Sequence, residues 1–539
     1  MAGRGPAPAD DSFAHLEPAS AVSAGPEGVR PKGAGDAARD GHVSLRDRAV
    51  RGVFWASVYT WGVQLGSVLL FLLLARILGP TDFGLVALAT VYLDLVDRMI
   101  DQGFASAIVQ RRELDDQHLD SAFWTSMAIA VFAMGMTLLG APLVASVTHQ
   151  PRLIPVLRVL SLTMVCTAMV SVQEGILTRR LAFRSLAMRG LSSVAVGGAV
   201  GVGMALAGLG VWSLVGQQLA WELAAIVVLW RATGWRPGLR VSRARLKELW
   251  KVGAPITGTR LLETGQRRSS DFIVGAMLGS TALGFFAVGQ RMATALNRMI
   301  VDSVSQVAFP TFSRLQEDPQ QLLRAYYKAI QYAAAIAFPA FLGLAALAPE
   351  FIAAWFGPKW LPSVRVSQVL AILALTWMTA RFNGAVLQAL GAVRIQFWLR
   401  LFGALTNLVA IIIGLRWGIN GVAYAMLIRV LVFAPLSAAA VRHYVKLDYV
   451  AVARRTVPPL LGAVAAVLAV VLVRQLLGSG RPVAILVLGA GLGAAAHLGV
   501  IRLLVPGLIG EVVALLLRQR AGKRPSTAAE PVPVAPPLG

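Results

Sequence analysis

The chain has 539 residues, of which 56% are hydrophobic and only 14% are charged, whereas soluble domains carry about 25% charged residues. With a mean hydropathy of +0.66, the chain cannot cover itself with polar surface. Composition therefore predicts an all-α polytopic membrane protein and excludes secreted disulfide scaffolds, ordinary cytosolic enzymes and fibrous proteins. The net charge of +23 would indicate nucleic acid in a soluble protein, but cytoplasmic loops of membrane proteins also carry such an excess.

Fourteen apolar stretches follow residue 52, and a bilayer core needs about 20 residues per helix. Most of them are plain, whereas the seventh is interrupted by Pro255 and by several charged residues. The predicted transmembrane helices are 53–78, 83–107, 121–148, 154–177, 187–208, 211–231, 252–277, 282–309, 328–349, 365–388, 395–415, 419–441, 455–474 and 483–503.

The basic residues of the loops predict the orientation of these helices. With 14 spans, the loops on one side carry 20 Lys and Arg and the opposite loops carry five. Because cytoplasmic loops are enriched in Lys and Arg, this asymmetry predicts that both termini are cytoplasmic. Omitting the seventh span would invert every later loop. The basic excess then faces anionic lipid, so nucleic acid is not an expected partner.

An internal repeat predicts the domain organisation. The segment 76–87 aligns with 276–287 at an offset of 200 residues, and Arg98-Met99-Ile100 aligns with Arg298-Met299-Ile300 at the same offset. Six spans separate the copies, so the repeats are parallel and related by an axis along the membrane normal. We expect two pseudo-symmetric six-helix bundles plus two C-terminal helices. The predicted segments are a disordered tail 1–49, an N-terminal bundle 50–231, a basic linker 232–251, a C-terminal bundle 252–441, helices 13 and 14 in 442–503, and an amphipathic helix with a disordered tail in 504–539.

Three segments resemble a known family: Gly-Pro-Thr-Asp-Phe-Gly at 79–84, the stretch 101–111, and Ser-Ala-Phe-Trp at 121–124. Together with the 14 spans and the repeat, they are similar to polysaccharide transporters of the Wzx/WzxC type, in the multidrug/oligosaccharidyl-lipid/polysaccharide exporter superfamily. The resemblance covers about residues 45–450. It implies a V of two bundles around a central cavity in the bacterial inner membrane.

The same resemblance implies a function and partners. Such a protein flips an undecaprenyl-pyrophosphate-linked oligosaccharide by alternating access, for the synthesis of surface polysaccharides such as lipopolysaccharide or exopolysaccharide. Its partners would be this polyprenyl-pyrophosphate-linked glycan, membrane lipids, and glycosyltransferases or a polymerase of the same pathway.

Charged residues within the spans are the strongest functional signal. Each costs about 2.5–3.5 kcal/mol at the bilayer centre on insertion scales, so they must face protein or water. Helical spacing aligns the charges of the seventh span on one stripe and those of the eighth on another. The predicted substrate-binding residues, whose forked donors suit pyrophosphate or acidic sugars, are Arg98, Arg260, Arg267, Arg268, Arg291 and Arg298. The rise of a helix places Arg267 near Arg291 and Arg260 near Arg298.

The acidic residues of the same spans leave alternatives open. They could neutralise the arginines as the pairs Arg260–Glu263, Arg267–Asp271 and Arg298–Asp302. The residues predicted to couple transport to an ion or to act as counter-ions are Asp94, Asp97, Glu263, Asp271 and Asp302. We expect Glu263 to be a counter-ion and any coupling to pass through Asp94 or Asp97, whose charges crowd each other.

Other polar and aromatic residues have structural interpretations. Glu174 and Glu222 are expected to be hydrogen-bonding groups, and Trp355, Trp360 and Trp417 to be interfacial anchors. The six histidines are scattered and no Walker motif occurs, so we expect neither an enzyme nor a cofactor or metal. Two other functions remain open: a cation-coupled small-molecule exporter, which needs acids to dominate its cavity, and a non-transporting scaffold of a glycan assembly complex.

Overall fold

The computed structural model describes residues 45–511 except 102, 112, 479 and 509, with the backbone alone at 45–60 and 302–307. The predicted tail 1–49 and most of 504–539 lie outside these residues. The described part is helical and contains no strand. Its α-helices are α1 (Leu45–Ile77), α2 (Pro80–Asp101), α3 (Phe104–Gln110), α4 (Asp116–Val147), α5 (Leu153–Leu160), α6 (Leu162–Arg179), α7 (Phe183–Leu206), α8 (Val211–Thr233), α9 (Arg243–Asn297), α10 (Ser303–Arg314), α11 (Pro319–Phe351), α12 (Ser363–Ala389), α13 (Val393–Gly414), α14 (Gly418–Val445), α15 (Tyr449–Leu477) and α16 (Pro482–Leu504).

Ten helical stretches in the described residues are long and apolar enough to cross a membrane. Two of them, Arg243–Val301 with 59 residues and Val393–Val445 with 53 residues, have about twice the length that one crossing needs. The charged helix α2 is not among the ten, since Asp82, Asp94 and Asp97 fall within 16 of its residues. The protein is thus an all-helical multi-pass membrane protein, while the count of 14 spans stays a prediction.

Helix α9 is broken at Gly279, between the seventh and eighth predicted spans. This residue has φ 87° and ψ 172°, a conformation that glycine adopts readily because it has no Cβ. A Cβ added to Gly275 would lie 2.9 Å from Cδ2 of Leu283. Residues eight positions apart would be about 12 Å apart along a straight helix. The two arms of α9 therefore fold back on each other.

Helices α2 and α9 meet in a contact that we call the glycine seam, formed by Pro80, Thr81, Gly84, Ser280, Thr281 and Gly284. The Oγ1 atoms of Thr81 and Thr281 are 2.9 Å apart. A Cβ added to Gly84 would overlap the carbonyl oxygen of Ser280, and one added to Gly284 would overlap the carbonyl oxygen of Pro80. These contacts are reciprocal at an offset of 200 residues, as in a two-fold-related interface.

The last turn of α1 is also anchored on this side of the protein. The Trp360 indole N–H donates to the carbonyl oxygen of Ala75 at 2.8 Å, and the Lys359 ammonium donates to that of Arg76 at 2.9 Å. Trp360 is fully buried and packs edge-on against Phe83 and Phe356. The prediction that Trp360 is an interfacial anchor was therefore wrong: its indole has a protein partner for its N–H and an apolar enclosure for its ring. We call this the turn side, since the Gly79 and Gly279 turns lie there.

On the opposite, linker side, the basic linker is bound to the start of α4. The Gly238 N–H donates to Asp120 Oδ1 at 2.9 Å, and the Trp124 indole N–H donates to the Gly238 carbonyl oxygen at 2.7 Å. Arg111 forms an ion pair with Glu248. These five residues form what we call the linker clasp, which fixes the chain that leads into α9.

Candidate functional site

A cavity of about 800 Å³ lies between α2, α3, α6, α7, α8 and the first arm of α9, and we call it the polar cavity. Its ionisable lining residues are six acids and four arginines. They are Asp94, Asp97, Asp101, Glu174, Glu222 and Glu263, with Arg98, Arg189, Arg260 and Arg267. Arginines do not outnumber acids in this cavity, because α2 contributes three carboxylates, α6 and α8 add Glu174 and Glu222, and Arg268, Arg291 and Arg298 do not line it.

Arg260 joins three helices at the cavity wall. Its Nη1 donates to Asp101 Oδ2 at 2.6 Å and its Nη2 to Ser106 Oγ at 3.0 Å. The second oxygen of Asp101 accepts from Ser171 Oγ at 3.0 Å. The proposed pair Arg260–Glu263 does not form, since Glu263 lies 3.5 Å from Arg400 of α13 instead.

Arg268 connects two carboxylates. Its Nη2 lies 2.5 Å from Asp94 Oδ2 on α2, and its Nη1 lies 3.0 Å from Asp271 Oδ2 one turn along α9. The alternative pair Arg267–Asp271 was therefore wrong, because Arg267 projects towards the cavity and Arg268 towards α2 and Asp271. We call Asp94, Arg268 and Asp271 the charged triad.

The six predicted arginines divide among three places. Arg98, Arg260 and Arg267 line the polar cavity, where the exposed Arg267 side chain donates to Thr264 Oγ1 at 3.4 Å. Arg291 and Arg298 face α1: the Arg291 guanidinium lies 4.4 Å from the centre of the Phe71 ring, and Arg298 Nη1 lies 3.5 Å from Gln64 Oε1. The sixth, Arg268, belongs to the charged triad. The side chain of Asp302 is outside the described residues.

The cavity contains residues that the sequence did not assign to a site. Arg189 of α7 donates to Glu174 of α6 at 3.3 Å, and Thr167 of α6 donates to Asp97 at 3.3 Å. Glu222 of α8 lines the same wall. The available signal was Arg189 itself, because an arginine inside a predicted apolar span has the same insertion cost as those of the seventh span.

A second cavity, of about 920 Å³, lies between α13 and α14, and its only charged lining residue is Arg429. It contains none of the predicted site residues. Among the described residues, no group of three His, Cys, Asp or Glu side chains could hold a metal ion. The polar cavity is thus the place where arginine donors meet water-accessible space within the helices.

Comparison with known proteins identifies the family. Residues 73–365 match the family model described as polysaccharide biosynthesis protein. The chain belongs to this family. The matched residues include α2, the whole polar cavity and both arms of α9, so the resemblance to polysaccharide transporters that the sequence motifs indicated is confirmed.

Related sequences and structures agree with this family. The chain is 26% identical over 378 residues to the lipopolysaccharide biosynthesis protein WzxC of Escherichia coli K12, covering 69% of this chain and 76% of that protein. It is 27% identical over 343 residues to the succinoglycan biosynthesis transport protein ExoT of Rhizobium meliloti, covering 64% and 69%. Its structure is similar to the lipid II flippase MurJ in an inward closed conformation, with a TM-score of 0.70, 14% identity, and coverage of 84% of this chain and 99% of that one. This last likeness shows a shared fold.

Proposed function

We propose that this protein moves an undecaprenyl-pyrophosphate-linked oligosaccharide from the inner to the outer leaflet of the bacterial cytoplasmic membrane, for cell-surface polysaccharide synthesis. The observation that carries this proposal is a cavity of about 800 Å³ within the helices, lined by ten ionisable residues. Charged side chains are costly in a membrane helix unless they face water or a polar ligand. Family membership and the fold shared with a lipid II flippase support the same function.

We further propose 14 spans in two six-helix bundles, with the linker side and both termini cytoplasmic. The fold-back at Gly279 supports two spans within α9, and the reciprocal contacts of the glycine seam support a pseudo-two-fold relation. Loops predicted to be periplasmic contact one another at the turn side, whereas the two loops of the linker clasp are both predicted to be cytoplasmic. In this orientation the cavity extends to Gln110 and Thr178 beside the cytoplasmic loops, and its periplasmic end is closed by the seam.

For the substrate site, the geometry favours the three arginines of the polar cavity. Arg267 and Arg98 reach the cavity from opposite helices, α9 and α2, and Arg260 is held beside them by Asp101. A pyrophosphate between them would receive forked N–H donors from both proposed bundles. Arg291 and Arg298, facing α1, would meet the head group only after the helices rearrange. Glycosyltransferases or a polymerase of the pathway would supply and consume the glycan.

One observation favours a second candidate, a cation-coupled exporter of small molecules. Acids outnumber arginines six to four in the polar cavity, and acids that dominate a cavity would attract a cationic substrate. The two functions differ in the charge of the transported molecule, so transport of a lipid-linked anion and of a cationic dye separates them.

The test uses the purified full-length protein in proteoliposomes with a fluorescent undecaprenyl-pyrophosphate oligosaccharide. We expect flipping by the native protein and about a tenfold loss in Arg267→Ala, equivalent to about 1.4 kcal/mol of binding. Arg267→Lys should recover part of the rate, because lysine retains the charge but lacks the planar fork. Arg416→Ala, on an exposed turn between α13 and α14, is the matched control. Export of cationic dye without flipping of the lipid would replace this proposal with the second candidate.

A further inference from the structure

The Asp271 carboxylate of the charged triad has an unusual environment. Asp271 is only 4% exposed. Its Oδ2 accepts from Arg268, but its buried Oδ1 has no hydrogen-bond partner among the described residues. A buried acceptor without a donor costs about 1–3 kcal/mol, and more when it carries charge. An ionised Asp271 would therefore keep one carboxylate oxygen buried without a hydrogen-bond donor.

The charge balance of the triad gives a second, independent argument. Arg268 forms ion pairs with both Asp271 and Asp94, so a single positive charge is shared by two carboxylates. When two carboxylates share one site, one of them tends to retain a proton. Asp94 has a side chain that is 33% exposed and lines the polar cavity, whereas the Asp271 side chain is only 6% exposed. Water can stabilise the charge of Asp94, so Asp271 is the carboxyl that takes the proton.

Among the described residues, no cation other than Arg268 forms an ion pair with Asp271. Gln290, on the second arm of α9, is an uncharged hydrogen-bond partner of the carboxylate, and Arg291 beside it has its guanidinium over Phe71. Helices α2, α3, α4 and α11–α14 pack on α9. Of these, α2 contributes Asp94, whereas α3 and the segment 121–147 of α4 have no ionisable residue. Arg400 of α13 pairs with Glu263, and Arg429 of α14 donates to Thr406 Oγ1.

We propose that Asp271 is a proton-binding site that is loaded while Arg268 bridges α9 to Asp94 of α2. When α2 and α9 separate, Arg268 loses Asp94 and can neutralise Asp271 alone, so the carboxyl releases its proton to water. Proton binding then stabilises the bridged conformation, and the exchange links the proton gradient to the motion of the two helices. Asp271 thereby replaces Asp94 or Asp97, through which coupling was expected to pass, because Asp94 keeps its charge in the bridge and Asp97 has no part in it.

The experiment is infrared difference spectroscopy of the full-length protein in nanodiscs, which detects the carbonyl stretch of a protonated carboxyl and its shift in D₂O. We expect a band at neutral pH that disappears in Asp271→Asn. It should persist in Asp101→Asn, the matched control, since Asp101 bridges the same two helices but has both oxygens hydrogen-bonded. A band that persists in Asp271→Asn, or no band in the native protein, would overturn the proposal.

A second variant keeps Asp271 in place and so does not depend on how well Asp271→Asn folds. In Asp94→Asn the guanidinium of Arg268 has a single carboxylate to neutralise, and we expect the band at neutral pH to vanish although Asp271 remains. A band unchanged in Asp94→Asn would contradict the shared-charge argument. A band abolished by sodium chloride but not by potassium chloride would instead assign a sodium ion to the site.

Failure of the proposed function and failure of the proton site give different results. The inference of gradient coupling rests on the proposed transport, whereas the infrared band does not. If the native protein flips no lipid while the band behaves as expected, the proposed function fails and the proton site stands. If flipping occurs and Asp271→Asn keeps its full dependence on an imposed pH gradient, the coupling role is overturned.

Discussion

Helices α2 and α9 meet in two very different ways along their length. At the glycine seam their backbones touch, and the contact uses residues without side-chain bulk or with short hydroxyls. Towards the linker side the same helices carry Asp101, Asp94, Arg260 and Arg268, and the ion pairs Arg260–Asp101 and Arg268–Asp94 join them beside the polar cavity. Close packing at one end and long ionic side chains at the other leave space for a substrate on one side alone. This contrast indicates that the seam must open for release on the turn side.

The largest effect is expected from filling the seam. In Gly84→Ala the new methyl group would overlap the Ser280 backbone, which cannot move as a flexible side chain does. We expect a cost of about 3 kcal/mol to the closed contact, or a roughly 100-fold shift in populations. Spin labels on the turn-side loops should report a longer α2–α9 distance. Gly135→Ala, which has open space around it, is the control, and equal distances in both variants would contradict the tight contact.

The next effect comes from locking the seam instead of opening it. Since Oγ1 of Thr81 and Oγ1 of Thr281 are 2.9 Å apart, Thr81→Cys with Thr281→Cys should form a disulfide under mild oxidation. We expect flipping to fall at least about tenfold and to recover after reduction. Each single cysteine variant serves as a control. Full transport with a completely cross-linked protein would show that the seam need not open.

A smaller effect is expected at the end of α2 and α9 where an ion pair, rather than backbone contact, joins the two helices. Arg260 and Asp101 form a pair that is partly solvent-accessible, with side-chain exposures of 38% and 17%, so screening limits its worth to about 1 kcal/mol. A double-mutant cycle with Arg260→Gln and Asp101→Asn, measured by thermal unfolding, should give this coupling. A coupling near zero would mean that the Arg260–Asp101 pair does not hold α2 and α9 together at this end.

The smallest effect concerns the linker clasp, outside the predicted spans. The hydrogen bond from Arg111, with a weaker one from His118, holds the pKa of Glu248 below its usual value. Because the pKa is lower in the folded state than in the unfolded one, this stabilisation is full above the unfolded value and is lost as the pH falls through the folded one. The protection factor of the Arg111 amide, which donates to the Ala107 carbonyl oxygen and whose exchange is compared with the intrinsic rate at the same pH, should therefore fall in acid. Glu248→Gln should remove this pH dependence, whereas Glu317→Gln, on an exposed loop, should retain it.

The amino-acid sequence by itself determined the class of protein, the family and the charged helices. The class of protein follows from the length of the apolar segments and the charge asymmetry of the loops. The charged helices follow from the cost of placing Arg260, Arg267 or Asp271 in an apolar segment. The 200-residue offset likewise pointed to Gly84 and Gly284 as equivalent positions. These properties need no knowledge of which helices are neighbours.

Only the tertiary structure decided the partners. Arg260 pairs with Asp101, 159 residues away, rather than with Glu263 on its own helix, and Arg268 takes the place expected for Arg267. Trp360 is buried against α1 instead of facing the interface. Helical spacing defines which residues share a face, but the rotation of each helix and the identity of its neighbour follow from the packing of the whole bundle. The number of carboxylates in the polar cavity depends on that packing, because α6 and α8 supply Glu174 and Glu222 from parts of the chain that no local pattern connects to α9.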